Sequence, residues 1–169
     1  MPREKKELDV AHVASFEKNN QQVYVDAIPI EIGGENRIYC GVREYYKKED
    51  KWLPSFKGVT FLMEHVPSLI SAVTSTLEVD PYPEDELILA IPKNSNEEIH
   101  VSLKQYKGKE YMDLRKFFKT KDGNWGPTKE GVTVPPDCVD ELIRCLEKFN
   151  EGYCDGRQRM TEDVSIIKQ

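Results

Sequence analysis

The chain has 169 residues, of which 38% are hydrophobic and 32% are charged, and its formal net charge is −6. This length and composition suit one domain or two small ones with a buried core. There is no run of 18 apolar residues, so a membrane-spanning helix is not expected. The opening residues MPREKKELDV have no apolar segment behind them, so a secretory signal is not expected either.

The first half of the chain predicts strands closed by one helix. Alternating segments at 22–32 and 37–46 indicate two strands joined by a hairpin turn at Gly33-Gly34. The sequence EHVPSLISAVTSTL then predicts a helix with Pro67 in its first turn. Its apolar residues are spaced by three and four and form one stripe: Val66, Leu69, Val73 and Leu77.

An acidic connector separates this half from the next. Residues 78–98 contain seven acidic residues and one basic residue, a net charge of −6. The PEDE sequence within it predicts a loop. The apolar ELILAI that follows predicts the opening strand of the second half, with a bulge or loop at 92–96.

The second half predicts the same layout. Strands at 99–106 and 110–118 are joined by a turn at Lys107-Gly108, and a longer lysine-rich turn precedes Trp125. The sequence CVDELIRCLEKF predicts a helix, with Asp137 at its positive N-terminal end. Its apolar stripe consists of Val139, Leu142, Leu146 and Phe149.

The two halves repeat one order of residue types. VREYYKKEDKWLPSFKGVTF and LRKFFKTKDGNWGPTKEGVTV both contain an arginine, two aromatic residues, lysines, Trp-x-Pro and Gly-Val-Thr. Trp52 matches Trp125 and Gly58 matches Gly131 at one offset of 73 residues. The repeat predicts an α+β chain of two tandem ββββα modules. We expect an N-terminal segment at 1–19, the first module at 20–79, an acidic linker at 80–85, the second module at 86–150 and a C-terminal tail at 151–169.

The repeated stretches are basic although the whole chain is acidic. Residues 35–62 contain six basic and four acidic residues, and residues 104–131 contain eight and four. A local positive field attracts a phosphate backbone, and exposed rings stack on the bases of a single strand. The candidate nucleic-acid contacts are Arg43, Tyr46, Lys47, Trp52 and Lys57 in the first module, and Lys104, Tyr106, Lys107, Lys109, Arg115, Phe118, Lys119, Trp125 and Lys129 in the second. Both tryptophans have an alternative role in closing the edge of the core.

A longer run resembles a known family. IHVSLKQYKGKEYMDLRKFFKTKDGNWGPTKEGVTVPPDCVDELIRCL resembles the core of the positive cofactor 4 family, transcriptional coactivators that bind single-stranded DNA. IYCGVREYYKKEDKWLPSFKGVTFLMEHVPSLISAV looks like the same module, so the resemblance covers most of residues 20–150. It implies curved antiparallel four-stranded sheets whose helices pair two modules. Because the module occurs twice in one chain, we expect the two copies to pair within one molecule as a pseudo-dimer.

The resemblance also implies residue roles. Base-stacking positions match Tyr106 and Phe118 in the second module and Tyr46 in the first. Basic positions that bind the backbone match Lys104, Lys107, Lys109, Arg115, Arg43 and Lys57. Three features depart from the family pattern. Tyr46 or Phe118 stands in the tryptophan-like stacking position, so we expect weaker stacking there. Glu130 stands where a basic residue is expected before Gly131, and the first half lacks the Tyr-Lys-Gly-Lys hairpin tip, so we expect a poorer binding surface in the first module.

These features predict a non-enzymatic, largely sequence-independent binder of single-stranded DNA or melted duplex that acts as a transcriptional coactivator or regulator in the nucleus. Transcription machinery and RNA are further candidate partners, and no membrane partner is expected. Two alternatives stay open: an RNA-binding protein on the same scaffold, and a protein-interaction module that has lost nucleic-acid binding, which the overall acidity and Glu130 favour.

Enzyme, metal and cofactor chemistry are not predicted. The histidines at positions 12, 65 and 100 lack metal-ligand spacing, and the sequence has no Gly-rich phosphate loop and no identifiable Ser/His/Asp arrangement. The four cysteines lack C-x-x-C pairing, which predicts reduced thiols in an intracellular protein.

Overall fold

The structure is a computed structural model that describes residues 5–7 and 10–155. The first half forms β1 (Lys5–Glu7), β2 (Ala11–Lys18), β3 (Gln21–Ile32), β4 (Glu35–Lys48), β5 (Lys51–Leu62) and α1 (Val66–Ser75). The second half forms β6 (Asp85–Asn94), β7 (Glu97–Tyr106), β8 (Lys109–Lys119), β9 (Trp125–Val134) and α2 (Val139–Phe149). Short 3-10 turns flank the helices at Met63–His65, Thr76–Glu78 and Pro136–Cys138, and a π-helical turn follows at Asn150–Asp155.

Each half contains one antiparallel sheet followed by a helix. In the first sheet β3, β4 and β5 are neighbours in that order, and β1 and β2 both pair with the free edge of β3. In the second sheet the order is β6-β7-β8-β9. The prediction of an α+β chain with two tandem ββββα modules is confirmed.

Strand pairing follows the sequence repeat. Arg43 on β4 lies opposite Gly58 on β5, and Arg115 on β8 lies opposite Gly131 on β9. In both sheets the register shifts immediately after the arginine, which marks a β-bulge at the same place. The predicted hairpin turns are also present, between β3 and β4 and between β7 and β8.

The strand β2 extends the first sheet ahead of residue 20. Two of its residues are buried, Phe16 and Lys18. The Lys18 ammonium lies 3.2 Å from the Glu44 carboxylate on β4 and donates to the Thr133 hydroxyl on β9 at 3.2 Å. A buried lysine is stable only when paired, and both partners lie far away in the sequence. Residues 1–4 and 8–9 of the predicted N-terminal segment and residues 156–169 of the predicted tail lie outside the described residues.

The helices bury their predicted stripes with one correction. All four stripe residues of α2 are fully buried, and so are Val66, Leu69 and Val73 of α1. The prediction was wrong for Leu77, whose side chain is 47% exposed. The α-helix ends at Ser75, and the chain tightens into a 3-10 turn in which Thr76 is buried and donates to the Val73 carbonyl at 2.7 Å. This tighter turn changes the angular spacing and carries Leu77 off the stripe.

The two modules contact each other along several elements. Helices α1 and α2 are in contact, and so are strands β5 and β9. Helix α2 lies along β2 of the first sheet, where the Arg144 guanidinium donates to the Ser15 carbonyl at 3.0 Å, and α1 contacts β6 of the second sheet. Buried residues of both modules therefore form one hydrophobic core. Within the described residues, neither helix has the length and apolar character that a membrane crossing requires.

Candidate nucleic-acid interface

The tip of the β7–β8 hairpin presents a ring beside cations. Tyr106 is 65% exposed, and the Lys107 ammonium lies 5.3 Å from the centroid of its ring. Lys107 and Gly108 both have positive φ, which gives the tight turn that two-residue hairpins prefer. Lys109 is exposed directly across the ladder from Tyr106. A base stacked on Tyr106 would place its phosphates near two lysines.

The far end of β8 carries the second group of predicted contacts. Phe118 is 44% exposed, and its ring lies against Gly126, where an added Cβ would be 3.3 Å from the Phe118 Cε1 atom. Lys119 is exposed and pairs with Trp125, which is half-buried. Lys129 is exposed further along β9. The predicted residues of the second module therefore lie along the length of β8 and its neighbours rather than in one pocket.

Arg115 lies between these two ends and is held by the protein. Its guanidinium donates to both carboxylate oxygens of Asp113, at 3.1 and 3.0 Å, and to the Thr128 carbonyl at 2.9 Å. The Thr128 hydroxyl in turn donates to the Lys116 carbonyl at 2.7 Å, which fixes the bulge. Gly131 leaves room for the arginine, because a Cβ there would lie 2.7 Å from Arg115 Cζ.

Arg43 occupies the matching place in the first module but is held less firmly. Its guanidinium donates to the Ser55 carbonyl at 2.9 Å, and the Ser55 hydroxyl donates to the Glu44 carbonyl at 2.8 Å, as in the second module. The residue two before the arginine is Gly41 in place of an aspartate. Among the described residues, Arg43 therefore makes one hydrogen bond where Arg115 makes three.

The first module also exposes rings and lysines. Tyr46 is 42% exposed, Lys47 and Lys57 are exposed, and Trp52 is half-buried. Phe56, which the sequence did not single out, is 62% exposed beside Lys57. The repeat aligns Phe56 with Lys129, a predicted nucleic-acid contact. That alignment was the available indication that Phe56 lies on the binding surface.

Two lysines of the second sheet, the predicted contact Lys104 and Lys116 on the next strand, form ion pairs with acidic residues. Lys104 on β7 is half-buried and lies 3.8 Å from the Asp85 carboxylate on β6. Glu130, the residue that departs from the family pattern, forms an ion pair with Lys116. Burial lowers the pKa of Lys116, but its bonds to Glu130 and Glu97 outweigh this and raise that pKa overall. Because Lys116 compensates its charge, the Glu130 carboxylate repels a nearby phosphate less than an unpaired one.

A polar and aromatic cluster lies on the first sheet. The Asp26 carboxylate lies 2.6 Å from His12 Nδ1 and accepts a hydrogen bond from the Tyr45 hydroxyl at 3.4 Å. The Tyr24 ring packs against the rings of both His12 and Tyr45, with centroid distances of 4.5 and 4.6 Å. Burial raises the pKa of Asp26, and the hydrogen bond from His12 opposes that rise. Burial and the adjacent Asp26 charge raise the pKa of Tyr45 to about 12, so the phenol stays neutral and donates.

The second sheet has a related cluster. His100 Nε2 lies 2.7 Å from the Glu98 carboxylate, and the His100 ring stacks on Phe117 with centroids 4.0 Å apart. His100 is buried, which fits a structural role. Across the part of the chain that the structure describes, no group of three or more His, Cys, Asp or Glu residues is placed to hold a metal ion.

Comparisons with known proteins extend these observations. The similar solved structures include two crystal forms of BPSL1147, a PC4 homolog from Burkholderia pseudomallei, and the bacteriophage T5 homolog of the eukaryotic transcription coactivator PC4, implicated in recombination-dependent DNA replication. The orthorhombic and tetragonal Burkholderia forms are each 27% identical, cover 40% and 37% of this chain and 90% and 91% of their own, and give TM-scores of 0.36 and 0.35. The phage protein is 16% identical, covers 52% of this chain and 99% of its own, and gives a TM-score of 0.39. Comparison with curated proteins finds no match.

The family comparison covers both modules. The model for Transcriptional Coactivator p15 (PC4) matches residues 35–72 and 93–145, which is more than half of the chain. The first segment runs from β4 into α1, and the second runs from the end of β6 into α2. At the level of the family, this match supports a single-stranded-DNA-binding, coactivator type of function. The chain belongs to the transcriptional coactivator p15 (PC4) family.

Proposed function

We propose that this protein binds single-stranded DNA or melted duplex with little sequence preference and acts in the nucleus as a coactivator or regulator of transcription, without enzymatic activity. The observation that carries the proposal is the exposure of Tyr106 and Phe118 beside lysines on the second sheet of a chain from this family. Exposed apolar surface rimmed by polar residues is typical of a ligand-binding surface. Every base offers a flat face for stacking, so such rings bind single strands without selecting a sequence.

Energetic considerations support useful affinity. Stacking contributes about 1–3 kcal/mol per base, so two rings contribute roughly 2–6 kcal/mol. The exposed lysines near these rings, Lys107, Lys109 and Lys119, add phosphate contacts. Each neutralised phosphate releases counterions, so the logarithm of the binding constant falls with the logarithm of salt with a slope of about −0.7 per contact.

The decisive experiment is fluorescence anisotropy with a labelled single-stranded oligonucleotide. The combined Tyr106→Ala and Phe118→Ala variant is expected to weaken binding by about 30-fold or more. Leu77→Ala is the control, because it removes an exposed apolar side chain from the turn after α1, outside both sheets. If the double variant binds single strands as tightly as the wild type, the assignment of these two rings is wrong.

The same assay separates the alternative functions. An RNA strand of the same sequence that binds more tightly than DNA would favour RNA as the ligand, since a 2′-hydroxyl is the distinguishing group. Binding to neither strand would favour a protein-interaction module. A salt titration on any observed binding must show the steep negative slope expected of phosphate contacts.

We propose further that the two modules pair within one molecule. The contacts between α1 and α2 and between β5 and β9 support this arrangement. Size-exclusion chromatography with light scattering is expected to give the mass of a single 19.5 kDa chain. A stable species of twice that mass at low concentration would indicate that modules exchange between chains instead.

A further inference from the structure

The first sheet has a groove that the sequence did not predict. Two adjoining concavities, of about 660 and 420 Å³, share Tyr45, Pro54, Ser55 and Phe56 in their walls and therefore form one groove across the sheet. His12 lines one end, and Lys57 lines the other. Ligand pockets for small organic groups have volumes of roughly 300–1,000 Å³, so each concavity can hold a nucleotide-sized group.

Arg43 lines this groove with donors that the protein does not use. Only its Nη1 atom has a hydrogen-bond partner among the described residues, the Ser55 carbonyl. In the equivalent Arg115, the Nε and Nη2 groups both donate to the Asp113 carboxylate.

Gly41 removes that carboxylate from β4. Asp26 lies across the ladder from Gly41 and interacts electrostatically with Arg43. Its carboxylate forms its hydrogen bonds with His12 and Tyr45, however, so the Nε and Nη2 groups of Arg43 stay available to an anion. A guanidinium with two donors on one edge matches the oxygens of a phosphate.

His12 lines the same concavity and is oriented by its neighbours. Its Nδ1 atom bonds to the Asp26 carboxylate, whose other oxygen accepts from Tyr45. The Asp26 side chain is only 5% exposed, whereas the His12 side chain is 51% exposed. Asp26 also lines this concavity, but because its side chain is nearly buried, a ligand meets mainly the exposed imidazole. Because Nδ1 bonds to Asp26, Nε2 is the ring nitrogen that is left to face a ligand, and it donates to a phosphate in the imidazolium form, in which both ring nitrogens carry hydrogen.

Phe56 completes the groove with an exposed face. It is 62% exposed and lines both concavities, between the Arg43 end and Lys57. An aromatic ring next to phosphate-binding cations is the combination that single-stranded nucleic acid requires. The second module has Lys129 at the aligned position and therefore lacks this ring.

We infer that the first module contains a nucleotide-binding groove of its own, in which Arg43 and His12 bind a phosphate of a single strand and Phe56 stacks on a base. The inference rests on the proposed function and assigns the first module a defined part in it. The groove gives the first module a contact set that differs from that of the second, although the sequence predicted a poorer surface there.

Binding of a labelled oligothymidine strand tests the groove with three variants. Phe56→Ala is expected to weaken binding by about 5- to 150-fold through the lost stack. His12→Ala is expected to weaken it by about tenfold through the lost hydrogen bond. Gly41→Asp restores the carboxylate found in the second module and is expected to weaken binding similarly, because Arg43 then pairs with it. The new Cβ would lie 2.8 Å from the end of the Ile28 side chain, which can rotate away. The new carboxylate would face Asp26 across the ladder, and like charges in that position are destabilising, so the folding of this variant is checked before its binding is compared.

Controls keep the outcomes distinct. Urea unfolding of each variant checks that it folds, and amide chemical shifts of wild-type residues 55–57 on titration with the strand report the groove directly. If the wild type binds no single strand, the proposed function and the groove both fail. A second outcome refutes the groove alone. In it the wild type binds and the Tyr106 and Phe118 double variant binds more weakly, but Phe56→Ala and Gly41→Asp bind like the wild type and the amide chemical shifts of residues 55–57 do not change.

Discussion

Replacing Gly131 with alanine is expected to dislodge Arg115 and to destabilise the second module. The added Cβ would lie 2.7 Å from Arg115 Cζ, 2.9 Å from Nη1 and 3.0 Å from Cβ. The guanidinium end can swing away, but the Arg115 Cβ is fixed by the backbone of β8. Moving the side chain breaks its bonds to Asp113 and to the Thr128 carbonyl.

The size of the effect follows from what is left behind. Asp113 is 2% exposed, so without the guanidinium its carboxylate is buried and unpaired. Removing one partner of a buried ion pair costs about 3–5 kcal/mol, and hydrogen bonds to charged groups contribute about 1.5–3 kcal/mol. Because the arginine can keep part of these contacts by shifting, we expect a loss of about 3 kcal/mol. For a chain of this length, that lowers Tm by about 6–12 °C.

Urea unfolding followed by circular dichroism measures the change in the free energy of unfolding. Gly58→Ala is the matched comparison, since its Cβ meets Arg43 at 2.8 Å but Arg43 makes only one hydrogen bond among the described residues. We expect that variant to lose about 1–2 kcal/mol. Gly152→Ala has nothing within 4 Å of its Cβ and serves as the neutral control. A Gly131→Ala variant as stable as Gly152→Ala, or more stable than Gly58→Ala, would refute this account of the arginine.

Two further predictions concern the helix and pH. Leu69→Ala removes a fully buried side chain and is expected to lower the free energy of unfolding by about 2–5 kcal/mol. Leu77→Ala removes an exposed one and should change it by less than about 0.5 kcal/mol. Equal losses of the free energy of unfolding in urea would contradict the assignment of Leu77 to the surface. Hydrogen bonds from Asn94 and Lys116 lower the pKa of Glu97 below its ordinary value of 4.5, so its contribution is present above that pH and is lost as pH falls through the lowered value. Glu97→Gln should therefore lower stability by about 0.5 kcal/mol at pH 7 and by less at pH 3, and an undiminished difference at pH 3 would contradict this linkage.

The repeat was sufficient to predict the layout of both modules. Matching Gly58 to Gly131 placed the equivalent strands, and the structure pairs each glycine with the equivalent arginine. The apolar spacing of α2 likewise predicted its buried face, because helix periodicity depends only on neighbours in the sequence. Strand β2 was harder to predict. Its alternation is interrupted by a bulge after His12, and Lys18 resembles a surface residue until Glu44 and Thr133 are known to be adjacent.

The candidate site was predicted less completely, because its contacts also join residues that are far apart in the sequence. Tyr106 and Phe118 were predicted as stacking residues, and the structure leaves both exposed, although their role stays a prediction. The three hydrogen bonds that hold Arg115 could not be predicted from the sequence, because the Thr128 carbonyl reaches the guanidinium only through the bulge in the β8–β9 ladder. The pairing of His12 with Asp26 depends on the register of β2 against β3, which no local pattern predicts.

The crossed placement of the helices makes each half depend on the other. Helix α2 belongs to the second half but borders β2 of the first, and α1 borders β6 of the second. A fragment that ended in the connector at 78–98 would contain β2 without α2, the helix that covers it. Apolar surface of the first half would then be exposed to water. A single module expressed alone therefore needs another molecule to cover this surface. Two fragments that are expressed together, one for each module, retain the surfaces that contact each other in the intact chain.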